Sequence, residues 1–225
     1  MASPLRRHQL AYLTRPGWLD ALRSPMESDV VGQLQRWAER DLPLVVTKQV
    51  QSGACDTIAL GWPAPRICAG QRVALRVAAA GIGRFDEFPP ALDAVDLLPA
   101  GTRSGIESLL RALVALGTMP RVYGSYGWQR LSGLVYVHQH SDIDLWLGVQ
   151  DLAQADAAAA VLQAADLGAV RVDGELVGPD GAAVAWREYR AWRAGRSRGL
   201  LLKRLDGAAV EHQVAWPVAD AAAGL

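Results

Sequence analysis

Apolar positions recur along this chain with two periods, and the periods mark out its elements. From Ser28 to Arg40, Val31, Leu34 and Trp37 stand three apart, the spacing of an amphipathic helix, with Ser28 placed as its N-cap. The run 42–50 (LPLVVTKQV) reads as a strand, and TIALGW and QRVALRVAA read as two more, separated by the turn-rich PAPRICAG. Ile106, Leu109, Leu110, Leu113 and Leu116 form one helical stripe over 103–116, and Gly117 fits a stop. PRVYGS reads as a short strand ending in a turn, and VYVHQHSDIDLWLGV contains the next strand. DLAQADAAAAVLQAADLG is built from strong helix formers, with Asp151 as N-cap and Gly168 near its C-terminal end. AVRVDGELV, AAVAWREY, GLLLKRL and AAVEHQVAW supply strand material, with a hairpin turn at Asp206-Gly207.

This order predicts an α+β fold in two parts. A small α+β N-terminal domain is expected over 1–95, and a mixed sheet with flanking helices over 96–225. The segment 84–103 carries three prolines and several acids, and it reads as the linker.

Composition narrows the class. Hydrophobic residues make up 51% of the chain and charged residues 20%, the balance of a globular protein. The 23 basic and 23 acidic residues cancel, which argues against long-range capture of a nucleic acid. Cys55 and Cys68 have no partner at metal-ligand spacing and read as reduced thiols. No secretory h-region and no membrane-spanning apolar run occurs, so a cytoplasmic protein is expected.

The chemistry concentrates in Gly124-Ser125 and in Asp142-Ile143-Asp144. Residues two apart in a strand share a face, so Asp142 and Asp144 aim two carboxylates at one point while Ile143 and Leu145 face the core. Paired carboxylates repel unless a divalent cation sits between them, and Mg²⁺ binds through one or two carboxylates plus substrate phosphates. A Gly-Ser turn entering a helix offers backbone N–H groups to phosphate oxygens. A third carboxylate commonly completes a phosphoryl-transfer site. Asp173, in RVDGEL, is the first candidate, with Glu188 and Glu175 in reserve. Lys203 reads either as a partner of a triphosphate or as a solvated edge lysine. Arg187, Arg190, Arg193, Arg196 and Arg198 read either as a docking patch or as a solvated face. His138 and His140 read as loop or strand-end residues, and Trp128 and Tyr136 as core aromatics or stacking platforms.

Gly124-Ser125 followed by Asp142-x-Asp144 resembles the signature of the polymerase-beta-like nucleotidyltransferase superfamily. The fuller string GSYGWQRLSGLVYVHQHSDIDLWL, with Gly124, Ser125, Trp128, Gly133, Tyr136, Ser141, Asp142 and Asp144, resembles one family within it. That family is phosphoribosyl-dephospho-CoA transferase, the holo-acyl-carrier-protein synthase of malonate decarboxylase. RVDGEL, WREY and the LLLK strand agree with it, and RHQLAYL and PLVVTKQV echo it weakly. The resemblance implies a nucleotidyltransferase-like C-terminal domain acting on 2'-(5-triphosphoribosyl)-3'-dephospho-CoA. The acceptor it implies is a serine of the acyl carrier protein subunit of malonate decarboxylase, with release of pyrophosphate. It implies Mg²⁺ held by Asp142 and Asp144, with Asp173 as the third carboxylate or Glu188 in its place; Gly124, Ser125 and Lys203 are the candidate substrate-binding residues. The alternatives are a nucleotidyltransferase with another hydroxyl acceptor and a non-catalytic carrier-protein adapter.

Overall fold

The computed structural model describes residues 5–23, 26–49, 56–65, 72–168 and 170–217; Cys55 and Cys68 lie outside them. The chain forms two compact units. One comprises the chain up to Phe88 together with Leu131–Tyr136 and Leu205–Gly207. The other comprises Pro89–Arg130, Val137–Arg204 and the chain from Ala208 onward. The whole is α+β, with one sheet in each unit.

The first unit contains β1 (Leu10–Leu13), α1 (Arg15–Ala21), α2 (Ser28–Glu39), β2 (Leu44–Val46), β3 (Thr57–Pro63), β4 (Arg72–Ala78) and β5 (Ile82–Asp86). Its sheet is antiparallel in the order β4-β3-β2-β1-β5. In β4, Leu75 and Val77 turn inward while Arg72 and Arg76 turn out, the period-2 pattern of a half-buried strand. Helix α2 buries Val30, Leu34 and Trp37, an i, i+4, i+7 stripe, so Val30 takes the inward place expected of Val31. Its N-cap is Glu27 rather than Ser28 and makes no side-chain cap bond. The predicted strand at 42–50 contracts to three residues. Trp37 meets Trp62 edge-on at 5.9 Å, and its Nε1 donates to the Pro43 carbonyl at 3.0 Å. The later segments of this unit are tied in by hydrogen bonds. Tyr136 donates its hydroxyl to the Pro63 carbonyl at 2.7 Å, and Gln49 N donates to the Leu205 carbonyl at 2.7 Å.

The expected linker is ordered structure. Its first residues belong to β5, where Phe85 pairs with Ala11. Residues Ala91–Leu97 and Ala100–Thr102 form 3-10 turns. Ala91, Ala94, Val95 and Leu98 fall at i, i+3, i+4 and i+7 and are buried in the second unit's core. The prolines start these turns; the apolar spacing between them decides burial.

The second unit continues with α3 (Arg103–Ala115), β6 (Arg121–Tyr123), α4 (Gly124–Ser132), β7 (Ile143–Gly148), α5 (Leu152–Ala164), β8 (Val172–Val177), β9 (Ala183–Ala185), α6 (Trp186–Arg193), β10 (Leu200–Lys203) and β11 (Ala208–Glu211). The sheet order is β11-β10-β9-β8-β7-β6. Strands β7 and β8 are parallel and are joined by α5, as a crossover requires; the other pairs are antiparallel. Asp151 caps α5 by accepting from Gln154 N at 2.7 Å. WREY, expected as strand, is the start of α6: Trp186 and Tyr189 stand one turn apart and both point into the core. Among the described residues no helix is long and apolar enough to cross a membrane.

Candidate active site

Register in the second sheet places the predicted acids. In β7, Ile143, Leu145 and Leu147 are buried, and Asp144 and Trp146 lie half-buried on the opposite face. Tyr123 of β6 pairs with Asp144, and Asp144 pairs with Asp173 of β8; Trp146 pairs with Glu175. Asp144 and Asp173 are therefore side by side on adjacent parallel strands, about 5 Å apart along the sheet. Asp142 stands just before β7, with the same parity as Asp144. Burial, then the charges of Asp173, Asp142 and Glu175, push the Asp144 carboxyl up to about 6, against the opposing pull of Arg171.

Gly124 opens α4 directly after β6, with φ of 61°. A Cβ built on it would lie 1.9 Å from Asp144 Oδ2. Only glycine lets the first turn of a helix come this close to that carboxylate. Ser125 follows, half-buried in the same turn. Tyr126 is buried, and burial followed by the neighbouring Asp142 charge raises its phenol above the ordinary range.

Arg171 occupies the residue before β8, opposite Asp142, and its carbonyl accepts from Ile143 N at 2.9 Å. Its guanidinium donates to Asp142 Oδ2 from Nε at 3.1 Å and also from Nη2, and Nη2 lies 3.8 Å from Asp173 Oδ2. The other oxygen of Asp173, Oδ1, accepts from Gly174 N at 2.8 Å. Gly174 is itself required: at φ 139°, a Cβ there would stand 2.0 Å from the Leu145 carbonyl oxygen. Neither Arg171 nor Tyr126 stands out in the sequence. Arg171 borders the RVDGEL segment, but its role depends on a cross-strand register that a linear pattern does not carry.

Other predicted residues have different placements. Lys203 Nζ reaches Glu175 Oε1 at 2.7 Å, so its ammonium partner in this structure is a buried carboxylate. Glu188 accepts from Leu201 N at 2.6 Å and serves the start of β10 rather than the acid row. His138 and His140 lie in the exposed loop before β7, where His140 N donates to His138 Nδ1 at 3.1 Å. Both stand outside the strand, in keeping with a loop reading, because β7 begins only at Ile143. Of the arginine run, Arg187 stacks on Trp186 at 4.1 Å and donates to the Val172 carbonyl, and Arg193 pairs with Asp156. Trp128 and Tyr136 are buried.

Among the described residues no three His, Cys, Asp or Glu side chains converge into a ready-made metal cage. The donor set nevertheless suits Mg²⁺, which needs only one or two carboxylates when substrate phosphates supply the remaining oxygens. Asp144, pushed up first by burial and then by its acidic neighbours, is a group whose ionised form gains from a cation.

The family model described as "Phosphoribosyl-dephospho-CoA transferase MdcG C-terminal domain" matches residues 90–213, and the corresponding N-terminal domain model matches residues 6–88. The chain belongs to the phosphoribosyl-dephospho-CoA transferase family. It is a transferase. The phosphoribosyl-dephospho-CoA transferase of Xanthomonas axonopodis pv. citri is 38% identical over 199 residues, covering 88% of this chain and 89% of that protein. The Xanthomonas euvesicatoria pv. vesicatoria transferase is 35% identical over 219 residues, 96% of this chain and 99% of that one. The Bradyrhizobium diazoefficiens transferase is 32% identical over 207 residues, 90% and 88%. No solved structure matches this member of the transferase family.

Proposed function

We propose that this transferase moves the prosthetic group of 2'-(5-triphosphoribosyl)-3'-dephospho-CoA to a serine of the acyl carrier protein subunit of malonate decarboxylase, releasing pyrophosphate. The observation that carries the reading is the in-register pair Asp144–Asp173 beside Gly124, in a chain of this family. Asp142, Asp144 and Asp173 would hold Mg²⁺, which when bound neutralises phosphate charge and stabilises the attacking and leaving oxygens.

The chain's own residues do the rest. Backbone N–H groups at the start of α4, with the Ser125 hydroxyl, hold phosphate oxygens of the donor. The glycine at 124 keeps those groups close to Asp144. The acceptor serine oxygen attacks the innermost phosphorus of the triphosphate. The bond to the bridging oxygen breaks, and pyrophosphate leaves with that electron pair. The serine proton passes to a carboxylate oxygen of Asp173, which lies beside Asp144 in the row. Lys203 holds Glu175 in place behind the row, and we assign it to the site through that pair. A cytoplasmic location goes with this reading.

Incubation of the apo carrier subunit with this protein, the donor and Mg²⁺ tests it by mass spectrometry. The expected result is a mass gain equal to the donor less pyrophosphate, lost in Asp144→Asn. An unmodified carrier, with pyrophosphate released only when another hydroxyl compound is added, would move the acceptor elsewhere. Full modification by Asp144→Asn would remove the carboxylate mechanism.

A further inference from the structure

Arg171 is a basic side chain on the acid row that the transfer reaction has not used. It is long and exposed, with 61% of its side chain open to solvent, and it is rooted at the entry of β8. Its guanidinium spans from Asp142, which it bonds through two nitrogens, toward Asp173 Oδ2 at 3.8 Å. It thus contacts two of the three carboxylates assigned to the cation. A divalent cation drawn to Asp142 must compete with the guanidinium for the same oxygen.

The guanidinium has a second suitable partner. Its planar fork matches phosphate oxygens as well as carboxylate oxygens, and its weak hydration makes an exchange between the two inexpensive. We propose that Arg171 is an exchangeable counter-ion: it neutralises Asp142 and Asp173 until the donor's triphosphate draws it away, so that divalent cation and triphosphate enter the site together. This rests on the proposed function, from which the triphosphate and the cation come.

The exchange conserves charge pairing. The carboxylates give up one cation and take another, and the guanidinium gives up a carboxylate and takes a phosphate. The coupling is reciprocal, since each ligand removes a cost that the other would otherwise meet. A cation alone binds weakly against Arg171. The cation–triphosphate complex binds tightly because Arg171 changes sides.

The signature is a pair of effects of opposite sign, which loss of structure does not produce. In the full-length chain, Arg171→Met is expected to bind Mn²⁺ alone about 3–10-fold more tightly than the parent, by electron paramagnetic resonance titration; the size follows from one partly exposed ion pair. The same variant is expected to bind the Mn²⁺–tripolyphosphate complex several-fold more weakly, by calorimetry. Arg171→Lys, which keeps the charge but not the fork, should fall between on both measures. Unchanged or weakened Mn²⁺ binding in Arg171→Met, with Mn²⁺ binding still abolished by Asp144→Asn, overturns the exchange and leaves the metal site standing. Mn²⁺ affinity that is insensitive to Asp144→Asn overturns the metal site, and the exchange with it.

Discussion

Gly124 and Asp144 compete for one volume: a methyl group on Gly124 would overlap the Asp144 carboxylate, 1.9 Å from Oδ2. The helix start and the acid are fitted to one another through the missing side chain. Gly124→Ala carries two penalties, an unfavourable positive φ and a displaced carboxylate. The variant is expected to lose about 1–3 kcal/mol of stability in urea unfolding. Its rate of carrier labelling should fall by more than tenfold, a larger effect than stability alone produces at a temperature where the variant stays folded.

The Asp144 carboxyl lies at about 6, above its ordinary 3.8, so the native state holds that proton more tightly than the unfolded chain. The contribution is therefore complete below about pH 4 and is lost as pH rises through 6. Asp144→Asn should match the parent near pH 4 and exceed it in stability above pH 6, by roughly 1–3 kcal/mol. Urea unfolding at pH 4, 5, 6 and 8 gives the comparison. Millimolar Mg²⁺ at pH 8 should narrow the gap, because only the parent has the ionised acid to gain from it.

Lys203 and Glu175 form a pair with the carboxylate buried, Glu175 being 4% exposed. Removing only the ammonium takes a counter-charge from a buried carboxylate. Lys203→Met should cost about 1–3 kcal/mol, a figure reduced because the lysine is itself partly exposed. Adding Glu175→Gln to it should recover part of that loss. A double-mutant cycle by thermal or urea unfolding measures the coupling. Losses that simply add would mean that the two side chains act independently.

Helices α5 and α6 are clamped through Asp156, which accepts from the Tyr189 hydroxyl at 2.9 Å and pairs with Arg193. Tyr189 is fully buried and stacks on Trp216 at 5.9 Å. Asp156→Ala leaves the tyrosine hydroxyl without this acceptor, and a stability loss of about 1–2 kcal/mol is expected. Mn²⁺ affinity should stay as in the parent, because Asp156 lies on α5 and outside the acid row. Calorimetric unfolding and Mn²⁺ titration on one sample separate the two effects.

The elements that could be read from the sequence are those with a long, uniform period. The α3 stripe from Ile106 to Leu113 and the Ala-rich α5 with its Asp151 cap appear as the spacing implied. Strands β3 and β4 do as well. Short pieces were hidden. Helix α1 is seven residues, too few to show a period, and its Thr14 cap is visible only once the helix is known. Trp186 and Tyr189 misled because aromatic residues favour strands, while their three-residue spacing is helical. In the site, the type and chain order of the acids could be read, and so could the glycine. What decides between Asp173 and Glu188 for the place beside Asp144 is register and the competing Leu201 amide, neither of which is local in sequence. Arg171 escaped for the same reason.

Two short stretches of late sequence, 131–136 and 205–207, belong to the first compact unit. Cutting the gene after the codon for Phe88 would therefore leave the front half short of its own parts. The Pro63 carbonyl would lose the Tyr136 hydroxyl, and Gln49 the backbone acceptor at Leu205. During synthesis the five strands of the front sheet emerge first, and the bonds from Tyr136 and to Leu205 can be added only once those later residues have left the ribosome.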